Sequence, residues 1–127
     1  MKKLFLAIVV CGLLCVGCSK TNPPEILYAG KLIVNGPCGN YAVELLKGQI
    51  DTSQIVASWH DPENDSTYSN AFAVINNCTF GSNGLRSGDV FTFHIDTRPP
   101  AQTCAICMIL VPVPSKRLAV KDVQKTK

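Results

Sequence analysis

"EILYAGKLIVNG" (residues 25–36), "NGPCGN" (35–40) and "YAVELLKGQI" (41–50) form the run that decides the fold. In the last of these, Tyr41, Val43 and Leu45 alternate with Ala42, Glu44 and Leu46. That is the period of a strand, whose successive side chains point to opposite faces. The middle segment concentrates Asn, Gly and Pro, which supply the positive or fixed φ that turns require. The run predicts an antiparallel hairpin closed by a six-residue loop.

The pattern continues outward. "QIVASWH" (54–60) reads as a third strand with Ile55, Ala57 and Trp59 on one face, and "DPENDST" (61–67) as a turn. "YSNAFAVIN" (68–76) follows, then a long loop over 77–88. "DVFTFHID" (89–96) sets Val90, Thr92 and His94 against Phe91, Phe93 and Ile95 before "TRPPAQT" (97–103) breaks the strand. "CAICMILVPV" (104–113) is apolar on both faces, the mark of a central strand. Pro112 and Pro114 end it or move it to a sheet edge. "RLAVKDV" (117–123) reads as a last short strand. No stretch carries a helical period. Six to seven short strands with regular turn signals predict an all-β domain, a small antiparallel β-barrel or sandwich. The order "GKLIV", "YAVELLKGQI", "GLRSGDVFTF" resembles an OB-fold: a long first hairpin, then a Gly-Asp turn into a late strand.

The start of the chain gives an address. Met1-Lys2-Lys3 precedes "LFLAIVVCGLLCVG" (4–17), a basic end followed by 14 apolar residues. Spanning a bilayer takes roughly 20, so the segment fits a secretory signal peptide better than a membrane helix. "LCVGC" (14–18) resembles a bacterial lipobox, which places a small residue, here Gly17, directly before the acylated cysteine. The resemblance implies cleavage before Cys18, diacylation of its thiol and acylation of the new amino end. Cys11 follows Val10 and Cys15 follows Leu14, residues too large for that position, so both leave with the leader. The expected organisation is a signal peptide (1–17), a lipidated Cys18 with a short tether (18–25), and one β domain (26–127). Several acyl chains on one residue anchor firmly where a single chain binds reversibly. Ser19, where Asp would retain the protein at the inner membrane by the enterobacterial sorting rule, directs the expectation to the outer membrane of the cell envelope.

Without Lys2 and Lys3, the ten remaining basic residues stand against nine acidic ones. Five of the ten lie in residues 116–127, where only Asp122 opposes them. Such a tail reads as a solvated end, and the exported address argues against nucleic acid as a partner. The expected partners are the membrane, through the lipid, and an envelope protein or ligand. No cofactor beyond the covalent lipid on Cys18 is expected.

Besides Cys18, the cleaved chain holds Cys38, Cys78, Cys104 and Cys107. An even count outside the cytoplasm predicts two disulfides. Four cysteines allow three pairings. In an extended strand Cys104 and Cys107 lie about 10 Å apart and face opposite ways, too far for a bond that needs Cα atoms within about 7 Å. Each then reaches a distant partner, unless a turn brings the two together. The favoured pairing is Cys38 with Cys104 and Cys78 with Cys107.

Other chemistry is sparse. The C-x-x-C spacing could serve a redox dithiol, but such pairs work at a helix start, and no helix signal follows it. With Cys38 and Cys78 it could complete a four-thiolate zinc site, although a strong signature has two close-spaced pairs. His60 and His94 stand near Asp61 and Asp96. Asp61, Glu63 and Asp65 begin like a calcium loop, without its sixth-position Gly or twelfth-position Glu. "DST" (65–67) resembles a short O-glycosylation acceptor of Bacteroidetes-type exported proteins. No catalytic residue and no metal site is expected. The leading expectation is a non-catalytic, disulfide-stapled binding or structural domain with binding residues in loops 35–40, 77–88 and 96–103. The alternative is a thiol-redox or metal-handling protein working through Cys104 and Cys107.

Overall fold

A computed structural model describes residues 17–20, 22–105, 107 and 109–126. The leader expected over 1–17 lies outside the described residues except for Gly17. In chain order the elements are β1 (Tyr28–Asn35), a 3-10 turn (Pro37–Gly39), β2 (Tyr41–Lys47), β3 (Val56–Asp61), β4 (Ser66–Val74), α1 (Asn77–Gly81), β5 (Val90–Ile95), β6 (Arg117–Leu118) and β7 (Val120–Lys125). The predicted hairpin is β1 and β2, joined through residues 36–40, with Leu32 opposite Val43 and Asn35 opposite Tyr41. The expected Gly-Asp turn leads into β5: Gly88 takes φ +91°, and its N–H donates to the Leu32 carbonyl at 2.8 Å.

All seven strands join one sheet, in the order β3-β4-β2-β1-β5-β7, with β6 beside β4. Every ladder is antiparallel except β4–β6, which is parallel and pairs only Ala73 with Arg117 and Val74 with Leu118. The C-terminal run thus touches β4 through β6 and, past Ala119, β5 through β7. That seam is too short to continue the ladder, so the sheet does not close. The all-β expectation holds, and of its two forms the open sheet folded over its core is consistent with a small β sandwich and not with a closed barrel.

The core fills from alternating positions. Val43 and Leu45 of β2, Phe72 and Val74 of β4, and Phe91 and Phe93 of β5 all reach one cluster with Tyr28, Leu32 and Phe80. Phe93 stands at its centre, its ring centroid 5.6 Å from Tyr28, 5.6 Å from Phe91 and 5.9 Å from Phe72. Such aromatic pairs add about 0.5–1.5 kcal/mol each beyond area burial. Gly30 makes room for this packing, since a Cβ there would meet Val43 Cγ1 at 2.6 Å. Register shifts in β1, one between Ala29 and Gly30 and one between Leu32 and Val34, bend the strand. Leu32, Ile33 and Val34 are consequently all buried: Leu32 enters the main core, and Ile33 and Val34 enter a second cluster on the other face with Ala42 and Ala71.

Three sequence expectations change. The described residues of 104–113 form no strand; they cross the second face as a strap whose Val111 and Val113 pack on that smaller cluster. Pro112 and Pro114 lack the N–H groups a central strand must donate, and the two cysteines draw the chain towards other partners. The loop 77–88 begins with the short helix α1, whose Phe80 is driven into the main core. Ile55 precedes β3 and enters the main core, whereas Trp59 packs on the second cluster beside Tyr68, so the single face expected for Ile55, Ala57 and Trp59 is broken at the strand start.

The β4–β6 seam is extended by a side chain. Ile75 N–H donates to the Leu118 carbonyl at 2.9 Å. One residue on, the Asn76 amide takes over the backbone's role. Its Oδ1 accepts from Val120 N–H at 2.9 Å, and its Nδ2 donates to the Val120 carbonyl at 2.6 Å. Asn76 is only 2% exposed, so water cannot replace these bonds. Asn76→Ala should destabilise the fold by about 2–3 kcal/mol, because a buried donor and acceptor each lose their partner. Urea unfolding would show this as a lower midpoint with an unchanged slope.

Candidate functional site

The three loops singled out in the sequence converge at one end of the sheet. Loop 35–40 places Cys38 at φ +63°, and α1 carries Cys78. Gln102 of loop 96–103 accepts from Cys78 N–H through Oε1 at 3.0 Å. Further along the strap, Asn40 Nδ2 donates to the Ile109 carbonyl at 3.1 Å. The strap therefore meets α1 first and the 3-10 turn second, and this order fixes the disulfides. Cys78 bonds Cys104 and Cys38 bonds Cys107, with Cα separations of 5.6 and 5.4 Å. The favoured pairing of Cys38 with Cys104 and Cys78 with Cys107 is corrected. Cys104 and Cys107 do reach distant partners, as the extended-chain argument requires.

A cleft of about 400 Å³ opens between the strap and the sheet. Tyr41 and Ile75 line it from the sheet side, Gln102, Ile109 and Leu110 from the strap, and Arg117 supplies a positive charge. Leu110 is 96% exposed, Ile109 53% and Ile75 45%, so apolar surface gathers at its rim. An exposed apolar patch held on a rigid frame is a feature of interaction surfaces. All four sulfurs are paired, and Cys104 and Cys107 bond different partners, so the C-x-x-C spacing does not form the internal disulfide of a redox dithiol here.

The histidines lie away from this cleft, and neither takes the acid expected from the sequence. His60 Nε2 pairs with Asp65 Oδ1 at 3.2 Å, and its Nδ1 meets Thr67 Oγ1 at 3.2 Å across the β3–β4 hairpin. Asp61 is buried and turns back to accept from Glu63 N–H at 2.9 Å. Asp61, Glu63 and Asp65 are not among the described residues grouped closely enough to hold one ion. His94 Nδ1 bonds the Ile26 carbonyl at 2.8 Å, while Asp96 accepts from Arg98 N–H at 2.9 Å. The tether lies along β5 and β7, where Lys121 Nζ holds Glu25 Oε1 at 2.6 Å. That bond lowers the Glu25 carboxyl below its ordinary range and raises the Lys121 ammonium above its own. Glu25 and Asp122, neighbours of His94 here, carried no signal in the sequence because the three lie far apart along the chain.

No protein-family model, no curated protein and no solved structure matches the chain. No helix among the described residues is long and apolar enough to cross a membrane. The site's chemistry therefore rests on its own geometry: an apolar cleft, two disulfides and an exposed strap. Partial reduction with cyanylation and mass spectrometry should recover the Cys38–Cys107 and Cys78–Cys104 linkages. These bridges close separations of 69 and 26 residues. In the chain-entropy model their removal costs about 4 and about 3.5 kcal/mol, so Cys38→Ala/Cys107→Ala should unfold at lower urea than Cys78→Ala/Cys104→Ala.

Proposed function

We propose that this protein is a small lipoprotein of the bacterial cell envelope. Its β domain, anchored through acylated Cys18, is a non-catalytic binding module that receives a partner at the strap. The observation that carries this reading is the pair of disulfides. They require an oxidising compartment, which agrees with an exported leader, and they hold Ile109 and Leu110 outward on a segment that has no ladder of its own. The lipobox resemblance supplies the anchor, and Ser19 directs it to the outer membrane. From Cys18 to the first fixed tether residue, Glu25, the chain can span at most about 25 Å, so the domain stays close to the bilayer.

Labelled palmitate tests the anchor. The parent protein should take up label and sediment with membranes, and Cys18→Ala should remain an unlabelled precursor of full length. Cleavage and acylation of the Cys18→Ala chain would refute the anchor. The binding half makes a separate prediction. Ile109→Ser/Leu110→Ser should leave unfolding within about 0.5 kcal/mol, since surface changes are usually that small. A photo-crosslinker in place of Leu110 should join one envelope component in cells and lose it in the Ile109→Ser background.

A further inference from the structure

We propose a divalent-metal site, of the kind zinc occupies, at Glu25, His94 and Asp122, where a bound ion would clamp the tether to the β5–β7 edge. One ligand atom from each of the three residues lies within 4.8 Å of the other two. Each comes from a different element: Glu25 from the tether, His94 from β5 and Asp122 from β7. An imidazole with two carboxylates is a donor set that zinc accepts, at about 2.0–2.2 Å per bond. Around a tetrahedral ion these atoms would stand about 3.3–3.5 Å apart. Glu25 and Asp122 are exposed, so side-chain rotation can close the remaining distance.

Two details of the backbone favour this use. His94 is held in the way metal-ligating histidines are held, through Nδ1 on a backbone carbonyl, here that of Ile26. That bond orients the ring and leaves the Nε2 lone pair for an ion. Asp122 owes its direction to a bulge. His94 pairs with Lys121 and Thr92 with Gln124, so Asp122 and Val123 together stand opposite Phe93. In a regular ladder Asp122 would face away from His94, because alternate residues face opposite sides. The bulge, with Asp122 at φ +53°, turns it back to the His94 side. Bulges that re-aim a side chain in this way concentrate beside functional sites.

The surrounding charge suits a cation. Asp96 and Asp122 both act on Lys121, as Glu25 does, so three carboxylates face one ammonium. Lys121 holds Oε1 of Glu25, and a carboxylate retains further lone pairs on its other oxygen.

The test is zinc titration by calorimetry. It uses the whole chain in detergent with Cys11→Ser, Cys15→Ser and Cys18→Ser, so that no free thiol competes. One ion per chain should bind, with the His94 imidazole resonances shifting on addition. Asp122→Asn tolerates the same backbone conformation, and His94→Gln keeps a donor for the Ile26 carbonyl. Each should weaken binding by about tenfold or more, the least that loss of even an outer-shell partner costs, while leaving the unfolding midpoint in place. Absence of saturable binding, or affinity unchanged in both variants, would overturn the site.

Discussion

The central constraint is that β1 must bury both of its faces. It lies between β2 and β5. Its register shift sends Leu32 into the main core, while Ile33 and Val34 go to the opposite side. The first face is satisfied by the sheet itself, folded so that Phe72, Phe91 and Phe93 meet Leu32 and Val43. The second face has no other sheet to meet. Without a cover, Ile33, Val34, Ala42 and Ala71 would stand against water, at about 25 cal/mol for each Å² of apolar surface left exposed. Val111 and Val113 of the strap provide that cover together with Trp59 and Tyr68 of the β3–β4 hairpin.

A strap of this kind is hard to hold in place. It has no ladder, its prolines cannot donate, and every ordered residue costs roughly 1–2 kcal/mol of backbone entropy. The Asn40–Ile109 bond alone contributes about 1 kcal/mol. The two disulfides supply the missing constraint by shrinking the unfolded ensemble. They also fix the strap at two points three residues apart, on α1 and on the 3-10 turn. Two anchors define a direction as well as a position, and this keeps Ile109 and Leu110 outward while Val111 and Val113 stay down. The apolar rim of the cleft is thus a consequence of the same staples that seal the second core.

Much of this fold was legible from local pattern. The hairpin of β1 and β2 follows from the alternation around Tyr41, Val43 and Leu45 and from the turn residues at 35–40. β5 follows in the same way from Phe91 and Phe93. The strap was not legible, because a run apolar on both faces reads alike whether its partners are two strands or a sheet face on one side and solvent on the other. The disulfide pairing failed for the same reason: it depends on which element the strap reaches first, and no local signal records that order. The loops carrying Cys38, Cys78 and Gln102 could be picked out by composition, and their convergence was set by β1 and β4 ending at the same edge. Glu25, His94 and Asp122 were invisible as a group, since a bulge brings Asp122 round and bulges leave little trace in an alternating pattern.

The two ends of β1 separate the two features on which function would turn. The tether reaches the domain at the start of β1, where Glu25 and Ile26 are held by Lys121 and His94. Cys38 and the cleft lie just past its other end. Eight residues of strand at about 3.3 Å each set these ends roughly 23 Å apart. In the proposed lipid-anchored arrangement, β1 therefore acts as a spacer. The bilayer would lie on the tether side, and the cleft would stand at the other end of the strand. Exposed Ile26 and Leu27, beside the tether, would then sit nearest the lipid, where apolar side chains are tolerated. In that arrangement Leu110, at the far end, would have no lipid to meet, and its 96% exposure fits the partner proposed for the strap. Fixing Glu25 would limit the free tether to the residues before it, at most about 25 Å of chain, where a tether loose as far as Tyr28 would reach roughly 10 Å farther.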